Sequence, residues 1–516
     1  MLMRKTQVLV AQHRAFSLLL GAGFLVHLAA WIAYWPGLWY SDSVSYADLA
    51  VHGGWSPSRQ MAYPWIMRVL ISLGGQTNGV LAFLTGTQHL AALGVGVLIY
   101  AMLLRLEVAR GLAVLASAIF LLDAFSLSVE QTILSESFYV LALTGSFALL
   151  VLRRKDDRAA LVCSGLLLAA SVWLRSAGLF AVPAWLGYVA WTTRAWRPVA
   201  LATAGLALPL IVYAAVYWQA TGVFGFTQTK GWFMYGRVAE IANCRTAHIP
   251  PGTRRLCPRP PVHVGAAWYI WDPKSPAWKL YGRNPGGDPK RLERFDGKLG
   301  GFARAVIEDD PLRYGRLVLA DLGRFFQPGL MTRGDNDDLT TTFGRYDAPQ
   351  NLQLPPTRQK QRTFDRYNTP QRAPAGVLRT YSKVVHLPRL PLAALMLAAL
   401  AGILLPRLRR NIKHPAEVGL LVIGAFGILL GHALTSDFAV RYLIPTVPMI
   451  LVGGIPGSRW LWVAARGRRD VTAAADPGRW AAADPFSPAP GRDADRGTYP
   501  RRGAPGRTRG RPGSAR

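Results

Sequence analysis

Asp42 stands just past the first apolar run of the chain, in the segment Trp39-Tyr40-Ser41-Asp42-Ser43-Val44-Ser45-Tyr46. A carboxylate among hydroxyls and aromatics at the lip of a membrane helix has the chemistry of a general base. Near the other end, Asp437-Phe438-Ala439-Val440-Arg441-Tyr442-Leu443-Ile444-Pro445 places Arg441 at the start of the last apolar run. Its guanidinium offers the planar, paired donors that suit a phosphate. Asp123, Glu130 and Glu136 add acids at membrane depth, and Arg59, Arg68 and Arg175 add cations. Charges at that depth are costly, which favours a functional reading. A base and fixed cations are what a group transfer from a phosphate needs: the base takes the incoming hydroxyl's proton, and the cations stabilise the departing phosphate. Each residue also has a structural reading. Asp42 caps the short helix that follows, Glu136 complements a helix dipole, Asp123 is hydrogen-bonded in the bundle, and Arg441 is an interfacial anchor.

These residues must be held by membrane helices. The chain has 516 residues, 51% of them hydrophobic, with a mean hydropathy of +0.18. The apolar residues gather into runs that predict about ten spans across a bilayer roughly 30 Å thick: 15–37, 79–103, 111–128, 133–152, 159–174, 177–193, 198–219, 387–406, 416–435 and 438–456. Every second loop is basic. Arg4, Lys5 and Arg14 precede the first span, Arg105 and Arg110 follow the second, and Arg153, Arg154, Lys155 and Arg158 follow the fourth. Arg194 and Arg197 follow the sixth, and Arg407, Arg409, Arg410 and Lys413 the eighth. By the positive-inside rule both termini of this multi-pass protein are cytoplasmic, and the Arg and Ala richness expected of a GC-rich bacterial genome places it in a plasma membrane. The first run lacks a small-residue cleavage site and reads as an uncleaved anchor. The net charge of +30 lies in short loops and a tail, so it does not indicate nucleic-acid binding.

The fold class expected is therefore an all-α polytopic membrane protein with a small extracytoplasmic domain, mixed in structure, inserted before the last three helices. Residues 1–14 form a cytoplasmic N-terminus and 15–221 carry helices one to seven, with a first outer loop over 38–78. Residues 222–386 form the insertion, too long for a plain loop, and 387–456 carry helices eight to ten. In the insertion, Asp310-Pro311 reads as a helix start. Cys244 and Cys257 predict a disulfide if the insertion meets an oxidising compartment; His248 and His263 lack zinc-ligand spacing. Trp55, Trp65, Trp232, Tyr235, Trp268, Tyr269 and Trp271 serve a membrane-interface belt or stack on sugars. From 457 to 516 the chain is rich in Arg, Pro, Gly and Ala and reads as a disordered basic cytoplasmic tail.

Ser41-Asp42-Ser43 with Tyr46, Leu134-Ser135-Glu136-Ser137-Phe138, Trp173-Leu174-Arg175 and Arg441-Tyr442-Leu443-Ile444-Pro445 together resemble the GT-C glycosyltransferases. That class includes the dolichyl-phosphate-mannose protein mannosyltransferases and the lipid A aminoarabinose transferase. The resemblance covers roughly 15–220 and 385–455. It implies a polyprenyl-phosphate sugar donor as co-substrate with no cofactor, inversion at the anomeric carbon, and an envelope glycan, glycolipid or protein acceptor. It assigns the base role to Asp42 and fits Glu130 best as a second acid. Arg441, Arg175, Arg59, Tyr46, Glu136 and Tyr442 then contact substrate or phosphate. No Asp-X-Asp metal motif is read in the chain, and no required metal is expected. A transporter or flippase of lipid-linked saccharide is the alternative, though such proteins favour broken helices and ionisable groups at the midplane; a non-catalytic protein of the same fold is a third.

Overall fold

The computed structural model of the chain describes residues 13–154, 157–258, 265–282, 289–328, 343, 371–461 and 463. The basic residues Arg4, Lys5 and Lys155, His263 and nearly all of the expected tail lie outside them. Among the described residues there is no strand beyond one isolated bridge, Leu38 to Thr132.

Every apolar run forms a helix. In the first half these are α1 (Arg14–Ala33), α4 (Asn78–Arg105), α5 (Arg110–Leu121), α6 (Ala124–Gln131), α7 (Glu136–Leu152), α8 (Arg158–Leu174), α9 (Val182–Thr193) and α10 (Trp196–Thr221). Between α1 and α4 lie two short helices of the expected first outer loop, α2 (Ser41–His52) and α3 (Ala62–Gly74). Among the described residues five helices are long and apolar enough to cross a membrane, or up to seven if each of two bent pairs is one span. The expected ten-span count is thus not reproduced by helix length. The two helices α7 and α8 have 17 residues each, about 26 Å of rise against a core of roughly 30 Å. The bend of 49° between α5 and α6 falls at Asp123, whose carboxylate accepts from the Ser126 N–H and hydroxyl at 2.7 Å each and from the Leu387 N–H at 2.9 Å. Asp123 starts a new helix and pins the chain returning from the insertion. Its structural reading holds.

The bundle closes through small residues. A Cβ placed on Gly165 of α8 would come within 2.6 Å of the Ala202 carbonyl, and one on Gly205 of α10 within 2.8 Å of the Val162 carbonyl. Close backbone approach of this kind drives helix association where the surroundings are already apolar.

The insertion is helical where described: α11 (Lys230–Ala239), α12 (Ala266–Trp271), α13 (Pro276–Tyr281), α14 (Pro289–Asp309) and α15 (Pro311–Arg324). The expected mixed structure is replaced by helices and turns. Asp310 caps α15, accepting from the Arg313 N–H at 2.9 Å. Trp232, Tyr235, Tyr269, Trp278, Leu299 and Phe302 form a core of the insertion's own. The Asp296 carboxylate accepts from the Gly231 and Trp232 N–H groups at the start of α11, and Gly231 lies against the Asp296 carbonyl where a Cβ would sit at 2.0 Å. Cys244 and Cys257 are joined as a disulfide. The chain then re-enters through α16 (Ala375–Val384), α17 (Arg389–Leu404), α18 (Pro415–Thr435) and α19 (Val447–Gly457). Within the insertion buried Asp321 pairs with Arg237 and Arg324; the insertion grips the last part where the Tyr314 hydroxyl donates to the Leu434 carbonyl at 2.6 Å and Phe325 packs on Phe438.

Sidedness is testable in the insertion. Ser275 is fully buried while its neighbour Lys274 is exposed, so a thiol probe belongs at Lys274. In a Cys163→Ala background, Lys274→Cys should react with an impermeant maleimide in intact cells. Ser514→Cys should react only after permeabilisation. Labelling of the tail site alone in intact cells would reverse the orientation drawn from the basic loops.

Candidate active site

The segment leading to Asp42 is tied down before the helix begins. The Leu38 N–H donates to the Gln131 carbonyl at 2.9 Å, and the Ile133 N–H donates to the Leu38 carbonyl at 3.0 Å. The Thr85 hydroxyl holds the Pro36 carbonyl at 2.8 Å. The cap of α2 is Tyr40, whose N–H donates to the Ser43 hydroxyl at 3.0 Å. The capping reading of Asp42 is therefore not the one the contacts favour, since its carboxylate is turned to cations.

Arg59 reaches Asp42 by a turn. Gly53 and Gly54 take positive φ of 74° and 93°, conformations that other residues adopt only under strain. The Ser56 hydroxyl then accepts from the Arg59 N–H at 3.0 Å. The Arg59 guanidinium meets the Asp42 carboxylate at 2.5 Å, with Trp271 of α12 over its face at 5.2 Å. The Gln228 N–H fixes the same loop by donating to the Pro57 carbonyl at 2.7 Å.

Arg441 enters from the far end of the chain, in the 3-10 turn Val440–Thr446 that leads into α19. It lies 3.6 Å from Asp42 and 3.7 Å from Glu136, with its guanidinium 4.7 Å from the Tyr40 ring. Glu136 is the first residue of α7, where a helix dipole favours negative charge. Arg175, extended at the end of α8, closes on Glu136 through a short ion pair. The result is one chain of alternating charge: Arg59, Asp42, Arg441, Glu136, Arg175. Tyr442 lies beside both Arg175 and Arg441, at 5.3 and 5.6 Å. Tyr46 lies 3.5 Å from the Ser135 hydroxyl, beside the start of α7.

Asp42, Glu136 and Arg441 are buried, whereas the Arg59 and Arg175 side chains keep 18% and 16% of their surface. The network is therefore open at its two cationic ends. It holds three guanidiniums against two carboxylates, and a buried surplus of positive charge attracts an anion. Burial pushes the Asp42 carboxyl up, but Arg59, Arg441 and Arg175 together pull it down further, so that it settles below its ordinary value. Asp42 is thus ionised at neutral pH.

Glu130 does not join this group. Its carboxylate lies 3.1 Å from His27 and 3.2 Å from His89. The structure adds two residues that the sequence reading passed over. His432 of α18 stacks on Tyr442 with ring centroids 4.2 Å apart; an imidazole inside an apolar run was the available signal. Tyr40 was visible only as a neighbour of Asp42. Two Asp-X-Asp triplets, Asp335-Asn336-Asp337 and Asp493-Ala494-Asp495, do occur in the chain, outside the described residues.

No protein-family model matches the chain, and no curated protein matches it. Among solved structures it is similar to the apo crystal structure of the Archaeoglobus fulgidus oligosaccharyltransferase, at 13% identity and a TM-score of 0.37. The match covers 89% of this chain and 52% of that one, so the chain spans about half the length of that protein. A likeness this loose says nothing of activity.

Arg441 separates two buried carboxylates. Arg441→Ala leaves Asp42 and Glu136 without it and should lower stability by about 1.5–3 kcal/mol, the range for hydrogen bonds to charged groups. Arg441→Lys should recover only part, as a point charge cannot reach both acids with a planar fork. Thermal unfolding in detergent reads the difference. An unchanged midpoint for Arg441→Ala would show that Arg59 and Arg175 neutralise the acids alone.

Proposed function

We propose that the chain is an integral membrane glycosyltransferase that moves a sugar from a polyprenyl-phosphate donor to an extracytoplasmic acceptor with inversion. The observation that carries this reading is the buried charge chain of three guanidiniums and two carboxylates with its cationic ends open. The donor's phosphate is the anion that such a site would accept, and its lipid tail would lie among the apolar helices. Arg59, Arg441 and Arg175 then stabilise the negative charge that develops on phosphate as the anomeric bond breaks. Asp42 takes the proton of the attacking acceptor hydroxyl. A single displacement with no covalent sugar on the protein inverts the anomeric centre.

The same arginines that bind phosphate depress Asp42. When phosphate shares their charge, the Coulomb hold on Asp42 weakens and the carboxylate becomes a stronger base. The base is in this way restrained until the donor is seated. Glu136 acts here as the fixed counter-ion that orients Arg175 and Arg441. Tyr46 and Tyr442 line the same group, and the insertion covers it through Trp271 on Arg59.

Transfer of radiolabelled sugar from polyprenyl phosphate in membranes tests this. Asp42→Asn should lower turnover at least about 10²-fold, the scale of general-base removal, while donor KM stays level or falls, because the arginines lose a competing anion. Protein level in the membrane is measured alongside. Wild-type membranes that transfer no sugar from any polyprenyl-phosphate donor, or an Asp42→Asn protein with full turnover, would refute the reading.

A further inference from the structure

Behind the site, three buried side chains from three helices meet: His27 of α1, His89 of α4 and Glu130 of α6. His27 Nδ1 lies 3.1 Å from His89 Nδ1, and the Glu130 Oε2 lies 3.1 and 3.2 Å from the two nitrogens. The outer nitrogens determine what these inner atoms carry. His27 Nε2 lies 3.1 Å from the Leu121 carbonyl, which can only accept, so Nε2 bears the proton. His89 Nε2 lies 2.8 Å from Gln131 Oε1, and that amide is oriented because its NH2 donates to the Tyr34 carbonyl at 2.9 Å. His89 Nε2 is therefore also the donor. In two neutral imidazoles both Nδ1 atoms then point lone pairs at each other and at a carboxylate. Three electron-rich atoms so close, with no hydrogen among them, repel one another in a buried site unless a cation sits between them.

We propose that His27, His89 and Glu130 bind a divalent transition-metal ion of the zinc class. Two imidazoles and one carboxylate are a ligand set such ions take. An ion about 2.0–2.1 Å from each ligand atom keeps the ligands roughly 3.3–3.4 Å apart in a tetrahedral arrangement and about 2.8–3.0 Å apart in an octahedral one, which bracket the separations found. Each imidazole also has the partner that zinc-binding histidines usually have, its outer N–H donated to a carbonyl oxygen, which fixes tautomer and ring plane. The site is separate from the charge chain at Asp42 and does not depend on the glycosyltransferase reading. Its effect on that chain is positional. Gln131 and Thr132, next to Glu130, form the bridge to Leu38, so an ion here would lock α1, α4 and α6 behind the segment that presents Asp42.

The test uses full-length protein purified in detergent without a polyhistidine tag, stripped with chelator and offered Zn2+ or Co2+. About one ion per chain should remain after dialysis, and Co2+ should show visible ligand-field bands. His89→Ala and Glu130→Gln should each lower affinity at least about 10-fold, since outer-shell losses alone cost that much. Should either variant fail to fold, X-ray absorption at the metal edge of the wild-type zinc protein decides, with imidazole scattering expected. Three outcomes overturn the proposal: no stoichiometric ion in wild type, equal binding by folded variants, or a bound ion without imidazole ligands. In the first, the cation between the three atoms is a proton, and the histidine pair is charged.

Discussion

The structure turns on keeping five charged side chains together where water is scarce. Isolated, each would be expensive to bury, and the attraction between partners repays that cost only with good geometry. Alternation supplies the geometry: every carboxylate in the series Arg59, Asp42, Arg441, Glu136, Arg175 has a guanidinium on either side. The contacts are tight at the two ends and looser around Arg441, where Asp42 and Glu136 stand 3.6 and 3.7 Å away. Arg441 is thus shared between the two acids, while the outer pairs hold them in place.

Much of the fold serves to deliver those five groups. Asp42 comes from the segment after α1, Arg59 from the glycine turn after α2, Glu136 from the start of α7, Arg175 from the end of α8, and Arg441 from the turn before α19. Four of the five sit where a helix begins or ends, where the backbone bends and a side chain can be aimed. This gives the short helices a role. A bundle of uniform, full-length spans would put its helix ends in the headgroup layer. Here α7 and α8 are short, and the start of one meets the end of the other where Glu136 pairs with Arg175. The insertion then secures the far strand of the network by holding Leu434 and Phe438, close to Arg441 in the chain.

The sequence was most informative where physics acts locally. Apolar runs located the helices of the bundle but not their span count, and Asp310-Pro311 marked the start of α15, because helix caps and hydrophobic length are written within a few residues. Arg441, Arg175 and Glu136 were legible as charges at membrane depth, which few chains tolerate without purpose. Glu130 was read in the same way and has different company. Glu130 lies in the last turn of α6, and a residue's position in the chain cannot say which face of that helix is turned to Asp42. His27 and His89 were passed over for a related reason: a histidine in an apolar run shows neither its partner nor its tautomer until another helix is placed beside it. The span count differed because hydropathy measures composition, whereas crossing requires unbroken length, and Asp123 breaks one run inside.

The stretch from Glu130 to Glu136 joins the two buried polar clusters. Its backbone is clamped by the Gln88 amide, which donates to the carbonyls of Glu130 and Thr132 at 2.6 and 2.8 Å, and Gln88 in turn accepts from the Tyr63 hydroxyl at 2.6 Å. Glu130 points from one end of this stretch to the histidines, and Glu136 points from the other to the arginines. Leu38, four residues before Asp42, is bonded to its middle. Both acids of the charge chain are thus tied to one segment, Glu136 as part of it and Asp42 through Leu38. The separation between fixed charged groups is a quantity on which reactivity depends steeply. A shared anchor protects that separation better than independent supports for each residue would.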